Sequence, residues 1–295
     1  MVNKDTGHFD TSALAHLKSW IGRTDSAYDS LTPAPMQALS ATLDRNDLNV
    51  AKADALPYLW HWLYFLSTAR QSEIGPDGHA RRGDFLPPVT LPRRMWAGGR
   101  LKWQSENPLL IGDDVRRVST IESVEYKAGH SGDLLFVLVR HQIYNQLGLA
   151  LTEEHDIVYR AAALPSDALP RHVAASTDAA WQREISPDAV LLFRYSALTF
   201  NGHRIHYDRQ YVTAVEGYPG LIVHGPLIAT LLLDLVRQHN PTAHIESFKF
   251  RALKPTFDLH SFRVNGHPSE DGKTVKLWAQ DHEGWLTMQG CATLV

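Results

Sequence analysis

Cysteine is nearly absent from this chain. Cys291 is the only one in 295 residues, so no disulfide can form within the chain. A reducing compartment is therefore indicated, because disulfides are the usual support of secreted domains. Cys291 lies in the apolar run LTMQGCATLV, which is typical of a strand, and we expect a buried structural thiol there rather than a nucleophile.

An excess of charge of either sign is also missing. Lysine and arginine number 29 against 32 acidic residues, which gives a net charge of -3. Such a balance offers no reason to expect nucleic acid or a membrane surface as a partner. The hydrophobic fraction of 44% is typical of globular proteins that bury a substantial core.

No segment has the length of a membrane span. The two most apolar stretches, 56–66 and 221–236, are shorter than the roughly 20 residues that a span needs, and each contains a histidine. The N-terminal residues contain no apolar region of a secretory signal. We therefore expect a cytoplasmic protein with buried helices over 57–71 and 222–236.

The two halves of the chain repeat one order of elements. The first half predicts short helices at 12–22 and 33–44, then the apolar helix, then long strands with a turn at 145–148. The second half predicts a strand entry at 191–200, a turn and a helix within 209–237, and four closing strands. A helix wrapped by an antiparallel sheet, twice over, is an α+β architecture. The alternative is one continuous α+β domain without repetition.

A stretch rich in alanine, proline and serine separates the halves. It reads RAAALPSDALPRHVAASTDAAWQ, a composition typical of a linker on the surface. The sequence therefore predicts an N-terminal repeat over 1–160, a linker over 161–182 and a C-terminal repeat over 183–295.

Polar side chains concentrate in NGHRIHYD, residues 201–208. Asn201-Gly202 alone predicts a type I′ turn, but HRIHYD is a poor partner strand. We expect instead a loop that runs into a helical turn capped by Asp208. His203 and His206 suit acid–base work, because the unperturbed pKa of imidazole is roughly 6.5.

Metal binding is the competing interpretation of this segment. Its candidate ligands are His203, His206, Asp208 and His224. The H-x-x-H spacing differs from the i, i+4 spacing of a metalloprotease helix, and no cysteine is nearby. We predict no metal.

His224-Gly225-Pro226 opens the second apolar helix. Proline is favourable at a helix start, and the N–H of Gly225 would be one of the free donors there, reinforced by the helix dipole. A buried donor of this kind is what holds an enolate or an oxyanion. The alternative is that glycine serves close packing alone.

These two segments resemble the hydratase motif of the MaoC-like enoyl-thioester hydratases and dehydratases. N-G-H-R-I-H-Y-D-x-x-Y followed by V-H-G-P-L is similar to the family's Asp-x-Asn-Pro-x-His-x-Asp and His-Gly. The resemblance implies a double hot-dog fold, α+β, with a central helix wrapped by an antiparallel sheet in each of two repeats. It implies that His206 is the catalytic histidine and that the Gly225 N–H holds the thioester oxygen. Asn201 stands where the family has a catalytic aspartate, and His203 where it has asparagine.

That departure is similar to one subgroup, the hydroxyacyl-thioester dehydratases and the bacterial mesaconyl-CoA or itaconyl-CoA hydratases. WIGRTDSAYDSLTPAP, LPPVTLPRRMWAGGRL and LALTEEHDIVYR look like its degenerate first repeat. The resemblance implies that the chain adds water to, or removes it from, an α,β-unsaturated acyl-CoA, with a short branched C5 dicarboxylic acyl group such as mesaconyl-C4-CoA or itaconyl-CoA. It implies no cofactor beyond the CoA of the substrate, and a possible homodimer. Asn201 would orient water or hold His206, with His203 as a candidate second proton-transfer group.

A dicarboxylic acyl group requires a cation for its free carboxylate, and buried arginine is the usual choice. CoA phosphates require further contacts, because no Gly-rich phosphate loop is present. The predicted substrate-binding residues are Arg93, Arg94, Trp96, Arg204, His224, Arg251 and Lys254. For the charged ones, the alternative is a solvated surface position. Two functional alternatives stay open: a dehydratase of broader chain length acting on CoA or acyl-carrier-protein thioesters, and a non-hydrating acyl-thioester-binding or thioesterase-like hot-dog protein.

Overall fold

One antiparallel sheet of ten strands organises the computed structural model, which describes residues 11–45, 50–81, 85–129, 132–161 and 172–295. The first half contributes β1 (Thr24–Ser30), β2 (Arg93–Trp103), β3 (Asp114–Gly129), β4 (Gly132–Asn145) and β5 (Gly148–Arg160). The second half contributes β6 (Trp181–Ile185), β7 (Ile245–Ala252), β8 (Phe262–Pro268), β9 (Thr274–Gln280) and β10 (Leu286–Leu294). The strand order is β1-β3-β4-β5-β2-β7-β10-β9-β8-β6.

The halves join where β2 pairs with β7. Gly98 and Gly99 lie opposite Arg251 and Phe250 across this junction. A Cβ on Gly98 would clash with the Phe250 carbonyl oxygen, and one on Gly99 would lie 2.9 Å from the Glu154 carbonyl oxygen. Glycine is therefore required here by the close approach of neighbouring backbones.

Five α-helices accompany the sheet within the described residues: α1 (Leu14–Lys18), α2 (Pro33–Thr42), α3 (Ala189–Leu198), α4 (Arg209–Ala214) and α5 (Gly225–His239). Helix α5 is the central one, since every side chain from Leu227 to Val236 is buried and it packs on β6, β8, β9 and β10. A helix that is apolar all round has to be covered on most sides. The sequence predicted this helix and the four strands that follow it, and the structure confirms them.

The predicted helix over 57–71 is wrong. Only a short 3-10 helix, Trp60–Leu63, forms within it. Leu59 and Phe65 adopt left-handed backbone conformations with φ of 70° and 55°, which a right-handed helix cannot accommodate. The segment still fills the core beneath the first-half strands with Trp60, Leu63 and its neighbours. The first half therefore has no long central helix among the described residues.

The predicted strand entry at 191–200 is also wrong, because this segment is helix α3. Leu192, Tyr195 and Ser196 are its buried residues, and their i, i+3, i+4 spacing is that of a helix. Asp188 caps the helix by accepting a hydrogen bond from the Leu191 N–H at 2.8 Å. A short apolar run does not distinguish strand from helix by itself.

The remaining segments follow the sequence more closely. The turn at 145–148 joins β4 to β5, and α1 and α2 lie within the predicted 12–22 and 33–44. Residues 162–171 of the predicted linker lie outside the described residues, and β6 begins inside its last two positions, so the domain boundaries stay a prediction. Cys291 is half-buried on β10 with a free thiol. No helix in the described ranges is both long and apolar enough to cross a lipid bilayer.

A buried carboxylate ties the first half to the central helix. The side chain of Asp234, in the middle of α5, is 1% exposed and pairs with Arg45, just after α2. Arg183 on β6 donates to the same carboxylate at 3.3 Å and to the Leu43 carbonyl oxygen at 3.2 Å. Because the carboxylate is desolvated, the arginines have to offset the free-energy cost of burying its charge.

We expect Asp234→Asn to lower the free energy of unfolding by about 2 kcal/mol, because the amide keeps the shape but leaves the arginines without an anion. Urea unfolding followed by circular dichroism measures this. Glu184→Gln is the matched control, since the Glu184–Arg263 pair is exposed and such pairs contribute only about 0.5 kcal/mol. Equal losses in the two variants would contradict the proposed role of Asp234.

Candidate active site

The candidate site lies where the loop between α3 and α4 meets the start of α5. His206 ends a 3-10 helix, Arg204–His206, and is 8% exposed. Its Nδ1 is 2.7 Å from the Ile222 carbonyl oxygen. A carbonyl only accepts, so Nδ1 carries the proton and Nε2 presents its lone pair. The sequence predicts a loop at this position, and the structure places His206 in a buried turn.

The imidazole of His206 is neutral near neutral pH. Burial lowers the pKa of His206 to about 4, the bond to Ile222 offsets this in part, and His79 adds to the lowering. A neutral ring with a free lone pair at Nε2 is able to accept a proton. Nε2 has no hydrogen-bond partner among the described residues.

His224 lies behind His206 and supports it. The two rings are stacked with centroids 3.7 Å apart, and His224 Nε2 is 2.8 Å from Ser196 Oγ on α3. His224 is fully buried, so its predicted contact with substrate is wrong. It fixes the plane of the His206 ring instead.

Gly225 is the first residue of α5, with Pro226 after it. Its N–H precedes the first intrahelical bonds, so it is one of the free donors of the helix N-terminus. A Cβ added to Gly225 would meet only Met288 Cε, at 3.9 Å. Close packing within the chain therefore does not require glycine here. Space remains beside the Cα of Gly225, which is half-buried, so a ligand has room to approach the start of α5.

Asn201 shapes the loop. Its Oδ1 accepts a hydrogen bond from the His203 N–H at 3.0 Å, and its own N–H donates to the Ser196 carbonyl oxygen at 2.8 Å. The interpretation as a hairpin turn is wrong, because Asn201 follows a helix. Asp208 caps α4 through the Tyr211 N–H at 2.9 Å, as predicted. Asn201 does not hold His206, whose Nδ1 is bonded to Ile222.

His203 stands between His206 and a first-half histidine, His79. Its ring centroid lies 5.5 Å from that of His206 and 4.0 Å from that of His79. Burial above all, together with the charges of His79 and His206, lowers the pKa of His203 to about 2. His203 is therefore neutral and a poor carrier of a second proton.

Sequence reasoning missed the loop that brings His79 to the site. Nδ1 of His79 lies 3.1 Å from Asp77 Oδ2. Burial raises the pKa of Asp77, but hydrogen bonds from the His79 ring and N–H outweigh it and hold that pKa well below its usual range. The loop SEIGPDGHARRGD contains the pair as Asp-Gly-His, and nothing local to it indicates that it crosses to the other half.

Three of the predicted substrate-binding residues lie on β2, near the junction of the halves: Arg93, Arg94 and Trp96. The charge of Arg94 contributes to the lowered pKa of His203, so Arg94 lies on the side of β2 nearer to the site. Arg93 donates to the Glu216 carbonyl oxygen at 3.2 Å. Trp96 packs against Phe250, with ring centroids 5.4 Å apart, inside the sheet.

The other three predicted cations do not converge on His206. Arg204 donates to Asp208 Oδ2 at 2.7 Å and lies over the Tyr211 ring, so its guanidinium is engaged within the protein. Lys254 pairs with Asp281 at 2.6 Å. Arg251 is exposed and alternates with the buried Phe250 on β7, so it faces away from the core.

A polar cavity of about 130 Å³ lies inside the first half. Glu153 is buried there and accepts hydrogen bonds from His61 at 2.9 Å, His155 at 2.6 Å and Trp62 at 2.8 Å. Burial raises the pKa of Glu153, but the two histidines outweigh it and hold that pKa well below its usual range. Its charge is therefore already satisfied by three donors.

Arg117 lines the same cavity and was not among the predicted residues. Its Nε is buried without a hydrogen-bond partner among the described residues, and its guanidinium lies 5.0 Å from the centre of the Phe65 ring. Burial lowers the pKa of Arg117. Thr199, the C-cap residue of α3, also lines the cavity.

The groups that could hold a metal differ from those predicted. Asp77, His79 and His203 have ligand atoms within 4.8 Å of one another, and one carboxylate with two imidazoles suits zinc. Of the four ligands weighed from sequence, only His203 belongs to this cluster. His206, His224 and Asp208 are directed to Ile222, Ser196 and Arg204 instead.

Comparisons with known proteins place the chain in a family. The sequence profile of hydroxyacyl-thioester dehydratase type 2 matches residues 59–258. A curated relative, the mesaconyl-C(4)-CoA hydratase of Chloroflexus aurantiacus, is 46% identical over 276 residues, which cover 94% of this chain and 97% of the relative. The resemblance predicted from the motif is confirmed.

Solved structures share the fold. A MaoC-like dehydratase from Phytophthora capsici superposes with a TM-score of 0.67 at 13% identity, over 97% of this chain and 99% of that one. A Mycobacterium tuberculosis protein described as a double hot-dog fold gives a TM-score of 0.57 at 13% identity, over 96% of this chain and 98% of that one. The predicted double hot-dog fold is confirmed.

We expect the ring of His206 to titrate at about pH 4 and to carry its proton on Nδ1 above that pH, because burial disfavours the charged ring and Ile222 accepts from Nδ1. Long-range ¹H–¹⁵N spectra of histidine-labelled protein measure both properties. His206→Gln supplies the assignment by removing one set of signals. A proton on Nε2, or titration near pH 6.5, would contradict the geometry.

Proposed function

The chain belongs to the hydroxyacyl-thioester dehydratase type 2 family, and on that basis we propose that it hydrates an α,β-unsaturated acyl-CoA, or dehydrates the corresponding hydroxyacyl-CoA, with a short branched C5 dicarboxylic acyl group such as mesaconyl-C4-CoA. The observation that carries this proposal is the neutral His206, with Nε2 free, beside the open N–H of Gly225. Base and oxyanion donor are the two groups that this chemistry needs.

The reaction follows from these two groups. In the hydration direction, Nε2 of His206 takes a proton from water as the water oxygen bonds to Cβ. The electrons of the C=C bond move to the thioester oxygen, where the Gly225 N–H and the dipole of α5 stabilise the enolate. The enolate then collapses as protonated His206 returns the proton to Cα, so one C–O bond and one C–H bond replace the π bond. Dehydration is the reverse.

Three groups keep His206 ready for this step. The Ile222 carbonyl fixes the tautomer, and the stacked His224 fixes the plane of the ring. Ser196 in turn holds His224 from α3. Supports of this kind maintain a catalytic group within the narrow geometry that proton transfer requires.

The dicarboxylic acyl group is supported by the relative and by the cavity. A free carboxylate needs a desolvated cation, and Arg117 is half-buried with a buried Nε that has no partner among the described residues. Arg94, which the sequence did predict, lies near enough for its charge to lower the pKa of His203. The acyl carboxylate would lie against Arg117, with the neighbouring charge of Glu153 already satisfied.

One observation favours the second candidate, a hot-dog protein that binds or hydrolyses acyl thioesters without hydrating them. Asn201 stands where the resemblance places a catalytic carboxylate, and an amide does not exchange protons. Release of free thiol from an enoyl-CoA without loss of the double bond would favour this candidate. A cytoplasmic location and a homodimer stay parts of the proposal, tested by cell fractionation and by light scattering.

We expect purified protein to hydrate mesaconyl-C4-CoA with at least about 10-fold higher kcat/KM than crotonyl-CoA, because one desolvated ion pair contributes about 1.5–3 kcal/mol. Loss of enoyl-thioester absorbance measures both rates. Arg117→Met is expected to remove that preference while leaving crotonyl-CoA turnover unchanged. An unchanged preference in this variant would exclude Arg117 as the carboxylate site.

We expect Gly225→Pro to lower kcat by about 10²–10³-fold, because proline removes the N–H that faces the enolate while suiting the first turn of a helix. Gly225→Ala is the control, since it adds bulk but keeps the donor. His206→Gln should lower kcat by at least about 10²-fold. Proline and alanine variants with equal activity would show that the N–H has no part in the reaction.

A further inference from the structure

The carbonyl that fixes the tautomer of His206 belongs to a residue held between two segments. Ile222 forms an isolated antiparallel bridge with Phe257, in the loop between β7 and β8. Its N–H donates to the Ile205 carbonyl oxygen at 3.0 Å, and its carbonyl oxygen accepts from His206 Nδ1 at 2.7 Å. Both backbone groups of Ile222 are thus engaged by the catalytic loop between α3 and α4. The position of this residue therefore depends on how its chain neighbours are bound on the opposite side.

Asp258 binds one of these neighbours twice. Its N–H donates to the Leu221 carbonyl oxygen at 3.0 Å, and its Oδ1 accepts a hydrogen bond from the Leu221 N–H at 2.9 Å. At the other end of the bridge the Val223 N–H donates to the Thr256 carbonyl oxygen at 2.8 Å. A Cβ on Gly220 would lie 2.7 Å from Asp258 Oδ1, so glycine leaves the space through which the carboxylate reaches the backbone.

The same carboxylate contacts the other side of the turn that contains His206. Arg209 is the first residue of α4, the helix that directly follows this turn, and its guanidinium pairs with Asp258 Oδ2. The Asp258 side chain is only 3% exposed, and a buried carboxylate that loses its donors is costly. Its contacts therefore restrain the turn and the acceptor of Nδ1 relative to each other.

We propose that Asp258 is a positioning residue for the base. Through Leu221 it holds the Ile222 carbonyl at the place where Nδ1 of His206 needs an acceptor, and through Arg209 it holds the turn that carries the ring. The inference rests on the proposed function, in which His206 takes a proton from water at Nε2. Without the acceptor, the neutral ring is free to carry its proton on Nε2 instead, and that tautomer has no lone pair at the reacting atom.

The tautomer of His206 in the whole chain without substrate is the first measurement. Long-range ¹H–¹⁵N spectra of histidine-labelled wild-type protein are expected to show the proton on Nδ1. Asp258→Ala is expected to shift the two ring nitrogens of His206 towards the tautomer protonated on Nε2. Asp113→Ala is the matched control, because Asp113 Oδ2 likewise accepts a backbone N–H, from Leu110 at 3.0 Å, but in the first half. This control is expected to leave the His206 signals unchanged.

Kinetics with mesaconyl-C4-CoA is the second measurement. Asp258→Ala is expected to lower kcat by about 10-fold, because a displaced base reacts more slowly. KM is expected to stay within about 2-fold of wild type, since the lost contact positions the base and does not bind substrate. Asp258→Asn is expected to retain more of kcat, because the amide oxygen still accepts from the Leu221 N–H.

A variant on the other partner keeps the test decisive if Asp258→Ala does not fold. The Arg209 side chain is 52% exposed, so Arg209→Met is expected to fold. It is expected to lower kcat by about 3-fold and to shift the His206 signals in the same direction as Asp258→Ala.

The outcomes separate positioning from a merely structural role. An unchanged His206 tautomer in folded Asp258→Ala would overturn the inference even where kcat falls. Wild-type kcat and wild-type His206 signals in Arg209→Met would overturn it as well. Failure of the wild-type protein to hydrate any enoyl-CoA overturns the proposed function alone, because the spectra need no substrate and decide separately whether Asp258 controls the tautomer.

Discussion

Burial of α5 is the constraint on which the site depends. Ten consecutive residues, Leu227 to Val236, are buried, so the helix has no freedom to shift along its axis. Its first residue, Gly225, is therefore held at a fixed point with an open N–H. The segment just before it supplies Ile222 and His224, which fix the tautomer and the plane of His206. Helix α5 therefore positions the oxyanion donor, and the segment that precedes it, from Ile222 to His224, positions the base.

The two repeats contribute different parts of the site. The second keeps a central helix and carries His206 and Gly225. The first has a 3-10 turn where that helix would be, because Leu59 and Phe65 interrupt it. The space beneath its strands holds the cavity of Arg117 and Glu153 in addition to apolar core residues such as Trp60 and Leu63. Its loop at residues 75–81 closes over the catalytic loop. A site with groups from both halves requires the unbroken sheet across β2 and β7.

Burial determines the protonation state of the histidines in the site. It lowers the pKa of His203, His206 and His224, so these three rings are neutral around the substrate space. Asp77 is the exception, since hydrogen bonds from His79 keep it ionised. The fixed negative charge thus lies at the first-half side of the site and the helix dipole at the other. This polarity matches a reaction in which negative charge develops at the thioester oxygen.

Short-range sequence signals were enough to predict the local features of this protein. The sequence placed α5, the closing strands, the cap at Asp208 and the juxtaposition of His206 with Gly225, because hydrophobic periodicity, capping residues and a motif within 27 positions are all short-range signals. It mistook 57–71 for a helix and 191–200 for a strand, because apolar runs of that length fit either state until packing selects one. The tertiary structure was needed to show that Arg204 and His224 act as supports, that Arg117 lines a cavity, and that Asp77 and His79 join the site. The contacts of Asp77 and His79 with the catalytic loop connect residues more than a hundred positions apart, which no local pattern records.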